Sequence, residues 1–409
     1  GTDIPVELVQ YDPMFDRPGL YGENGVDYID NAARFILFCR ATLEALKATK
    51  FRPDILHSND WQTAMVNPML QTLYQNSDFF RGTKTVYTIH NLEFLGLFNA
   101  ACLGLAHLGK EHFNLERLEF YGDISFAKGG LAYADKINTV SRTYRNETLT
   151  PAFGCGLVGL LGLRQADYVG ILNGIDSSRR DPKINPVLPA NYEASDLSGK
   201  ATCKATVQQE FNLPIAAEIP LLGFSGRLSN QKGLDLIIDN IKTLMGFPLQ
   251  IIFLGAGDPY YYQLLQNLRA AYPQKLGLVL SYNEILSQHL KAGSDFFLMP
   301  SRTEPCGLAQ MVAMGFGTPP IVMRTGGLAD TVIDYSEQES GNGLVFNDFS
   351  STAFINAIQR ALDIFKNKAQ FLALQQNAMN SDFPWDTSAA AYENLYHAAL
   401  QAVKSGLQS

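Results

Sequence analysis

Several features that would assign a function directly are missing from this chain of 409 residues. Its five cysteines are scattered and form no C-x-x-C pair, which excludes a disulfide framework and indicates a reducing compartment. No spacing of His and Cys predicts a zinc site. No D-x-D sequence occurs, so a carboxylate pair that would chelate a metal-bound diphosphate has no obvious source.

Basic clusters and long apolar runs are missing as well. The chain has 32 Lys and Arg against 40 Asp and Glu, a net charge of −8, and no basic cluster stands out, which argues against a nucleic-acid surface and an anionic-membrane patch. No apolar run reaches the roughly 20 residues that span a bilayer, and the first residues are not typical of a signal peptide. The composition, 46% apolar and 18% charged, is that of a globular protein with two or three domains.

Short apolar runs alternate with longer helical patterns, which is typical of parallel sheets covered by helices. The predicted strands are 54–57, 83–90, 136–140, 168–172, 221–226, 249–254, 278–282, 296–299 and 320–323. The predicted helices are 28–48, 233–244, 259–271, 284–292, 354–365 and 388–403. We therefore predict an α/β protein with two doubly wound, Rossmann-like domains that face each other across a cleft.

The segment 176–197 separates the two alternating regions, because it is rich in Pro, Asn, Asp and Ser and has no sustained period. The predicted limits are 1–175 for the N-terminal domain and 198–385 for the C-terminal domain. A helical segment, 386–409, completes the chain.

The sequence GRLSNQKG joins a predicted strand to a predicted helix and carries two cations, Arg227 and Lys232. Parallel sheets bind ligands beyond the carboxyl ends of their strands, where helix N-termini present free N–H groups. Two placed cations at such a point favour a diphosphate ligand. The alternative is a solvated loop that carries two ordinary cations.

The sequence PSRTEPCGL places Glu304 at a second strand–helix junction. A carboxylate there can accept sugar hydroxyls or steady positive charge on a sugar ring, and N–H groups freed by Gly307 can meet phosphate oxygens. Helix capping also explains Glu304, and Cys306 alone is typical of buried packing. A third loop, TGGLADT, has the paired glycines Gly326 and Gly327, which allow close approach of an anion but occur in many tight turns.

Two successive strand ends in the first half carry polar groups, HSNDW at 57–61 and TIHN at 88–91. A lone strand-end histidine is more often structural, but two such ends at one sheet edge favour a site that includes His90. The sequence GAGD at 255–258 lacks the third glycine and the acidic partner of a dinucleotide fingerprint, so NAD binding is not predicted.

Taken together, these segments resemble the family of bacterial glycogen synthases and plant starch synthases. The resemblance runs over nearly the whole chain and is carried by FDRPG at 15–19, DN at 30–31, RF at 34–35, the two strand ends, GILNGID at 170–176, RLSNQKG at 227–233, SRTEPCGL at 301–308 and TGGLADTV at 325–332. The combination of EPCGL with TGGLADTV at this spacing is highly specific.

The resemblance implies a GT-B glycosyltransferase that transfers glucose from a nucleotide sugar to the 4-hydroxyl of an α-1,4-glucan, with retention of configuration. It implies ADP-glucose as the donor, with UDP-glucose as the alternative, and no metal or other cofactor. It also implies a cytoplasmic or plastid enzyme whose cleft closes on the donor, and a last helix that returns to the first domain.

The resemblance further implies roles for matching residues. The implied catalytic residues are Glu304, which holds the glucosyl unit, Arg227 and Lys232, which neutralise the leaving diphosphate, and His90, which lies against the donor sugar. The implied donor-binding residues are Asn173, Tyr282 (stacked on the adenine), Cys306, Gly307, Leu308, Thr325, Gly326 and Gly327. The implied acceptor-side residues are Asp60, Tyr21 and Asp30.

The chain also departs from the family. The family begins with a Lys-x-Gly-Gly-Leu loop within a stretch of roughly 80–100 residues that this chain lacks, so we expect an N-terminal domain that is incomplete at its start. The sequence KGGL at 128–131 looks like that loop, but its flanks match a later helix. Residues usual in the family are replaced at Val158, Arg180, Asn185, Gly315 and Met323.

These departures leave two other functional hypotheses. The first is a non-catalytic glucan-binding relic of the same family, against which the joint presence of Arg227, Lys232, Glu304 and His90 argues. The second is a related two-Rossmann enzyme, such as a sucrose-type synthase or a phosphorylase.

Overall fold

The computed structural model describes residues 4–23, 25–176, 181–336 and 340–401. Arg180 and the last residues of the predicted helix 388–403 lie outside this part of the chain. The chain divides into two compact units. Unit 1 takes the residues up to Val140, then Arg145–Ile171 and those from Ala390 onward, and unit 2 takes Ser141–Tyr144 and Leu172–Ala389. The predicted domain limits stay a prediction.

Unit 1 is built on a parallel sheet of four strands in sequential order. These strands are β1 (Ile55–Asn59), β2 (Lys84–Ile89), β3 (Lys136–Thr139) and β4 (Tyr168–Gly170). A small antiparallel sheet joins Leu97–Phe98, Asp123–Ser125 and Glu119–Phe120, and a further pair joins Gly22–Glu23 to Val26–Asp27. The four predicted strands of the first half are confirmed as elements, with ends that differ by at most two residues.

Helices cover this sheet. The α-helices of unit 1 are Asp12–Phe15, Asn31–Ala48, Asp60–Thr63, Val66–Thr72, Cys102–Leu105, Phe126–Tyr133 and Val158–Leu163. Short 3₁₀ turns occupy Asp78–Phe80, Lys110–His112 and Gln165–Asp167. Two further helices, Arg142–Glu147 and Trp385–Gln401, have residues in both units.

The segment KGGL at 128–131 lies inside the buried helix Phe126–Tyr133, whose first turn is capped by Ser125. The hydroxyl of Ser125 accepts a hydrogen bond from the backbone N–H of Lys128, which satisfies one of the free amides of a helix start. The interpretation of this segment as a helix rather than a phosphate loop is therefore confirmed.

The last helix is joined to the sheet of unit 1 by a buried polar network. His57 Nδ1 lies 2.8 Å from the hydroxyl of Tyr396, and its Nε2 lies 2.5 Å from Thr88 Oγ1. Thr88 donates to Asn138 Oδ1 at 2.5 Å, and Asn138 Nδ2 donates to the hydroxyl of Tyr392. Because the Thr88 hydroxyl is already a donor, the neutral ring of His57 carries its proton on Nε2 and accepts from Tyr396.

His57 should make the stability of the protein depend on pH. Burial lowers the pKa of His57 from 6.5 to about 4, so the folded protein binds fewer protons than the unfolded chain between these values. The free energy of unfolding should therefore fall as the pH falls through this window, by up to about 3 kcal/mol. Urea unfolding at pH 7, 5.5 and 4.5 measures it. His57→Gln should reduce the dependence of the unfolding free energy on pH, and the exposed control His397→Gln should not. An equal pH dependence in the wild-type protein and both variants would contradict the assignment.

Unit 2 is built on a parallel sheet of six strands. In chain order these are β5 (Leu221–Ser225), β6 (Gln250–Leu254), β7 (Leu276–Val279), β8 (Phe296–Met299), β9 (Pro320–Met323) and β10 (Leu344–Phe346). Their spatial order is β7-β6-β5-β8-β9-β10. This is the doubly wound order in which the direction of winding reverses between the first and the fourth strand.

The strands of unit 2 are apolar along their length, because helices cover both faces of the sheet. Every residue of β6 and of β8 is buried. The covering helices are Ser198–Glu210, Leu234–Asp239, Ile241–Gly246, Pro259–Ala271, Glu284–Gly293, Ala309–Gly315, Gly326–Thr331, Ser351–Lys366 and Lys368–Met379. The predicted α/β class with parallel sheets is confirmed.

Two sequence predictions for unit 2 need correction, and one strand was missed. The predicted helix 233–244 is two helices, because Asn240 ends the first and its side-chain amide bonds to Leu236 O and Ser351 Oγ at 2.8 and 2.9 Å. The predicted strand 278–282 is displaced to Leu276–Val279, which leaves Tyr282 in a loop. The strand Leu344–Phe346 was not predicted, since three apolar residues give no period to recognise.

Candidate active site

The candidate site of unit 2 lies where the winding of the sheet reverses. β5 and β8 are neighbours at that point, and the loops that follow them contain residues 226–233 and 300–308. Open α/β sheets bind ligands outside the carboxyl ends of such strands, because neighbouring loops diverge there and leave a crevice. The two sequence motifs that carry Lys232 and Glu304 therefore emerge side by side.

Lys232 and Glu304 form an ion pair across these two loops. Lys232 Nζ lies 2.6 Å from Glu304 Oε2, which also accepts from Ser301 Oγ at 2.9 Å. The side chain of Glu304 is 7% exposed and that of Lys232 is 23% exposed. A buried carboxylate is tolerated here because a cation and a hydroxyl satisfy the same oxygen. The role of Ser301 was missed from the sequence, although it lies within the quoted motif.

The loop that carries Glu304 packs directly on the TGGL loop. Gly327 donates its backbone N–H to Glu304 O at 2.9 Å. A Cβ at position 327 would lie 1.9 Å from Cys306 O, so only glycine permits this approach. The predicted donor-binding residues Gly327 and Cys306 are thus brought together by backbone contact.

Gly327→Ala should therefore disturb both the fold and the site. Overpacking of this kind costs about 1–3 kcal/mol, and the displaced loop carries Glu304. Thermal unfolding should report the loss of stability. The matched control is Gly315→Ala, since Gly315 is helical and has open space around it; alanine there should be neutral or stabilising by up to about 1 kcal/mol. Equal behaviour of the two variants would contradict the packing argument.

Cys306 contributes backbone rather than thiol chemistry. Burial raises the pKa of its thiol to about 12, against a smaller opposing effect of a hydrogen bond from the backbone of Asn173. The sulfur is therefore protonated and unreactive at neutral pH, and the bond places Asn173 beside the loop. The next residues are Gly307, at a φ of +69°, and Leu308, whose side chain is 48% exposed.

The remaining predicted residues of unit 2 differ in exposure. Arg227 is exposed in the loop that follows β5. Thr325 and Gly326 are buried, with Thr325 at the N-cap position of the helix Gly326–Thr331. Tyr282 is 75% exposed, and its hydroxyl lies 2.5 Å from Glu284 Oε2. An exposed ring of this kind presents a face on which a base could stack.

Asp330 organises a second part of unit 2 that the sequence did not reveal. Its carboxylate accepts from the backbone N–H groups of Arg142 and Thr143 at 2.7 and 3.1 Å and from Thr143 Oγ1 at 2.6 Å. Ser141 Oγ donates to Pro305 O at 2.5 Å. These bonds explain why Ser141–Tyr144 belongs to unit 2 although the flanking residues belong to unit 1.

In unit 1, His90 and Asp60 lie together at the carboxyl ends of β1 and β2. The backbone N–H of His90 donates to Asp60 Oδ1 at 2.8 Å, and His90 Nε2 lies 3.0 Å from Asn59 Oδ1. Burial raises the pKa of Asp60, and the amides of His90 and Asn91 oppose this. Asp60 has a φ of +55°, a strained conformation for a residue with a side chain, of the kind that clusters at functional sites.

The two weaker acceptor-side candidates have different surroundings. Tyr21 is 44% exposed, and its ring centroid lies 6.0 Å from that of Trp61, next to Asp60. Asp30 instead forms a two-bond ion pair with Arg17 at 2.6 and 2.7 Å, and this guanidinium lowers the pKa of Asp30. The lone pairs of Asp30 are thus engaged within the N-terminal segment.

Within residues 4–23, 25–176, 181–336 and 340–401, no group of three or more His, Cys, Asp or Glu could hold a metal ion. No helix in the same ranges is long and apolar enough to span a bilayer.

The sheet order makes unit 2 a doubly wound α/β unit, with the Lys232–Glu304 pair at its reversal point. Two family models match the chain, "Starch synthase catalytic domain" over residues 2–162 and "Glycosyl transferases group 1" over residues 207–373. The glycogen synthase of Moorella thermoacetica is 42% identical over 406 residues, which cover 99% of this chain and 82% of that protein.

Solved structures agree with these matches. The catalytic domain of starch synthase IV from Arabidopsis thaliana, bound to ADP and acarbose, superimposes with a TM-score of 0.88 at 33% identity, covering 94% of this chain and 80% of that one. Sucrose-phosphate synthase from Thermosynechococcus elongatus shares the fold at a TM-score of 0.59 and 20% identity, covering 91% of this chain and 80% of that one.

The chain therefore belongs to the glycogen synthase and starch synthase family. It is a glycosyltransferase that elongates glucan, as the sequence motifs predicted. The GT-B fold class is confirmed by the same neighbours, and these comparisons give no support to the hypothesis of an inactive relic.

Proposed function

We propose that this enzyme transfers glucose from ADP-glucose to the 4-hydroxyl at the end of an α-1,4-glucan, with retention of configuration. Its 42% identity to a glycogen synthase supports the glucan acceptor. Its 33% identity to a starch synthase domain that binds ADP and acarbose supports an adenine nucleotide and an α-glucan chain as ligands. UDP-glucose is the second candidate donor, which the experiment below separates from the first.

The observation that carries the proposal is the pair of Lys232 and Glu304 at the reversal point of the sheet, 2.6 Å apart. Sugar transfer from a diphosphate builds positive charge on the anomeric carbon and negative charge on the leaving group. A carboxylate and an ammonium placed together match these two charges, and such preorganised groups stabilise a transition state more than a ground state.

The proposed roles on the donor side follow from this charge pattern. Lys232 and Arg227 neutralise the leaving diphosphate, and Glu304 holds the glucosyl unit and supports its positive charge. The backbone amides from Cys306 to Leu308 meet glucose and phosphate oxygens. Additional donor contacts are assigned to Asn173, Thr325, Gly326, Gly327 and the exposed ring of Tyr282.

The proposed reaction keeps its atoms in balance without an enzyme nucleophile. The bond between the anomeric carbon and the diphosphate oxygen breaks, and the bond from that carbon to the acceptor's 4-oxygen forms on the same face. The acceptor's hydroxyl proton passes to the departing diphosphate oxygen, whose charge Lys232 and Arg227 hold.

In unit 1, we assign His90 to the donor sugar and Asp60 to sugar hydroxyls. The hydrogen bond from the backbone of His90 to Asp60 supports this pairing, because it fixes both residues at one edge of the sheet. Tyr21 is the stronger acceptor candidate of the remaining two, since Arg17 occupies the carboxylate of Asp30.

The proposal also places this enzyme in the cytoplasm, in keeping with bacterial glycogen synthases as its relatives. It retains the domain limits 1–175 and 198–385, with 176–197 as the hinge segment and 386–409 as the final helical segment.

The test is transfer of labelled glucose to glycogen from ADP-glucose and, separately, from UDP-glucose. The product is then digested with an exo-acting hydrolase specific for α-1,4 linkages. We expect incorporation from ADP-glucose and release of the label as a small oligosaccharide. Label that resists digestion would contradict the linkage, and no incorporation from either donor would contradict the function.

A further inference from the structure

The side chains of Arg302 and Asp235 connect the two loops that carry Lys232 and Glu304. Arg302 Nη2 contacts Asp235 Oδ2. Asp235 follows Lys232 by three residues, and Arg302 precedes Glu304 by two. This ion pair is therefore close in sequence to the Lys232–Glu304 pair on both segments. Neither residue was singled out from the sequence.

Backbone contacts bring the same two loops together. Arg302 donates its N–H to Gln231 O at 2.9 Å. Gly233, at a φ of +70°, lies so close to the next loop that a Cβ there would be 2.0 Å from Pro300 O. The relative position of the loops is therefore fixed at the backbone, and the Arg302–Asp235 pair acts at the level of the side chains.

The guanidinium of Arg302 also stacks on an aromatic ring. Its Cζ lies 3.8 Å from the ring centroid of Phe349, which holds the plane of the fork in one orientation. The side chains of Arg302 and Asp235 are 42% and 24% exposed. We call these three residues, Arg302, Asp235 and Phe349, the loop clamp.

The ion pair of the loop clamp is half of a two-bond arrangement. Arg302 Nε and Asp235 Oδ1 are both buried, and neither has a hydrogen-bond partner within the part of the chain that the structure describes. Nε and Nη2 form the side of the guanidinium that matches both oxygens of a carboxylate. Two buried and unsatisfied atoms are costly, and a rotation of the two side chains that brings Nε to Oδ1 would satisfy both.

A second arginine–aspartate pair in unit 2 provides a comparison. Arg360 Nη2 lies 2.6 Å from both carboxylate oxygens of Asp334, and its Nη1 donates to Val345 O. That carboxylate has no unsatisfied buried oxygen among the residues that the structure describes. The loop clamp differs from this pair in that it leaves two buried polar atoms unsatisfied among the described residues.

We infer that the loop clamp is a positioning device, in which Arg302 and Asp235 set Lys232 against Glu304 and complete their second hydrogen bond when the donor nucleotide binds. Arg302 and Asp235 are positioning residues and not catalytic ones. This inference rests on the proposed function, because it assumes that a nucleotide diphosphate enters beside Lys232.

The experiment is a double-mutant cycle with Arg302→Lys, Asp235→Asn and the double variant, measured by calorimetric ADP affinity and by kcat and KM for transfer. Each single variant should weaken ADP binding and lower kcat on the order of tenfold. The double variant should lose no more ADP affinity and no more kcat than the more impaired of the two single variants. The KM for glycogen should not change. Arg360→Lys is the matched control, and it should lower thermal stability while leaving ADP affinity and kcat unchanged.

The outcomes separate the two claims. Additive losses, or losses of thermal stability alone, would overturn the loop clamp and leave the proposed function intact. ADP affinity is measured without the transfer reaction. The cycle therefore tests the loop clamp even if the protein binds ADP but transfers glucose slowly. If the wild-type protein binds neither ADP nor UDP, the proposed function fails and the loop clamp fails with it.

Discussion

Replacing Glu304 by Gln should lower kcat for glucosyl transfer on the order of 10²- to 10³-fold, which is the usual effect of removing one preorganised electrostatic group. The amide keeps the shape of the side chain but loses the negative charge that we propose supports the anomeric carbon. It also leaves Lys232 without its partner at 2.6 Å. Steady-state release of ADP over a range of ADP-glucose concentrations measures the effect.

The control for this prediction is a second carboxylate of unit 2, Glu210. Its partner is a histidine, which is cationic when it is protonated. Glu210 Oε1 lies 2.9 Å from His289 Nδ1, at the end of the helix Ser198–Glu210. Glu210→Gln should retain full activity. If Glu304→Gln also retained activity, with an unchanged melting temperature, the assignment of Glu304 to the transition state would be wrong.

Replacing Lys232 by Met should lower kcat by a similar factor, on the order of 10²-fold or more. The methionine fills much of the volume of the lysine stem but cannot neutralise charge on the leaving diphosphate. Among the described residues, it also leaves Ser301 as the one hydrogen-bond donor to Glu304 Oε2. The same kinetic assay and ADP calorimetry measure the change, and we expect kcat to fall more than ADP affinity does.

Two further variants test the role of Lys232. Lys242→Met, on the exposed face of the helix Ile241–Gly246, should leave kcat unchanged. The double variant of Lys232 and Glu304 should be about as slow as the slower single variant, because groups that act as one unit give non-additive losses. Fully additive losses would mean that the two residues act independently.

The fold of unit 2 was largely predictable, because its strands are buried on both faces and read as apolar runs. The runs at 296–299 and 320–323 match the observed strands residue for residue. Prediction failed where one side chain overrode the local pattern. Asn240 breaks a predicted helix through bonds to Leu236 and to Ser351, which lies 111 residues away.

The sequence predicted which charged and polar residues of the candidate site follow the ends of strands. It did not predict which side chains these residues contact. The position of Glu304 in its motif predicted a role, whereas the bond to Ser301 depends on the local turn. The loop clamp joins residues 67 apart in the chain, and Asp330 holds a segment 187 and 188 residues away. Pairings over such distances are set by the sheet order, which no local pattern contains.

The most direct test of the central claim is incorporation of labelled glucose from ADP-glucose into glycogen by the wild-type protein and by Glu304→Gln, run side by side at equal protein concentration. The account predicts steady incorporation by the wild-type protein and almost none by the variant, while both bind ADP. Equal incorporation by the two proteins would contradict the role of Glu304 at the reversal point of the sheet.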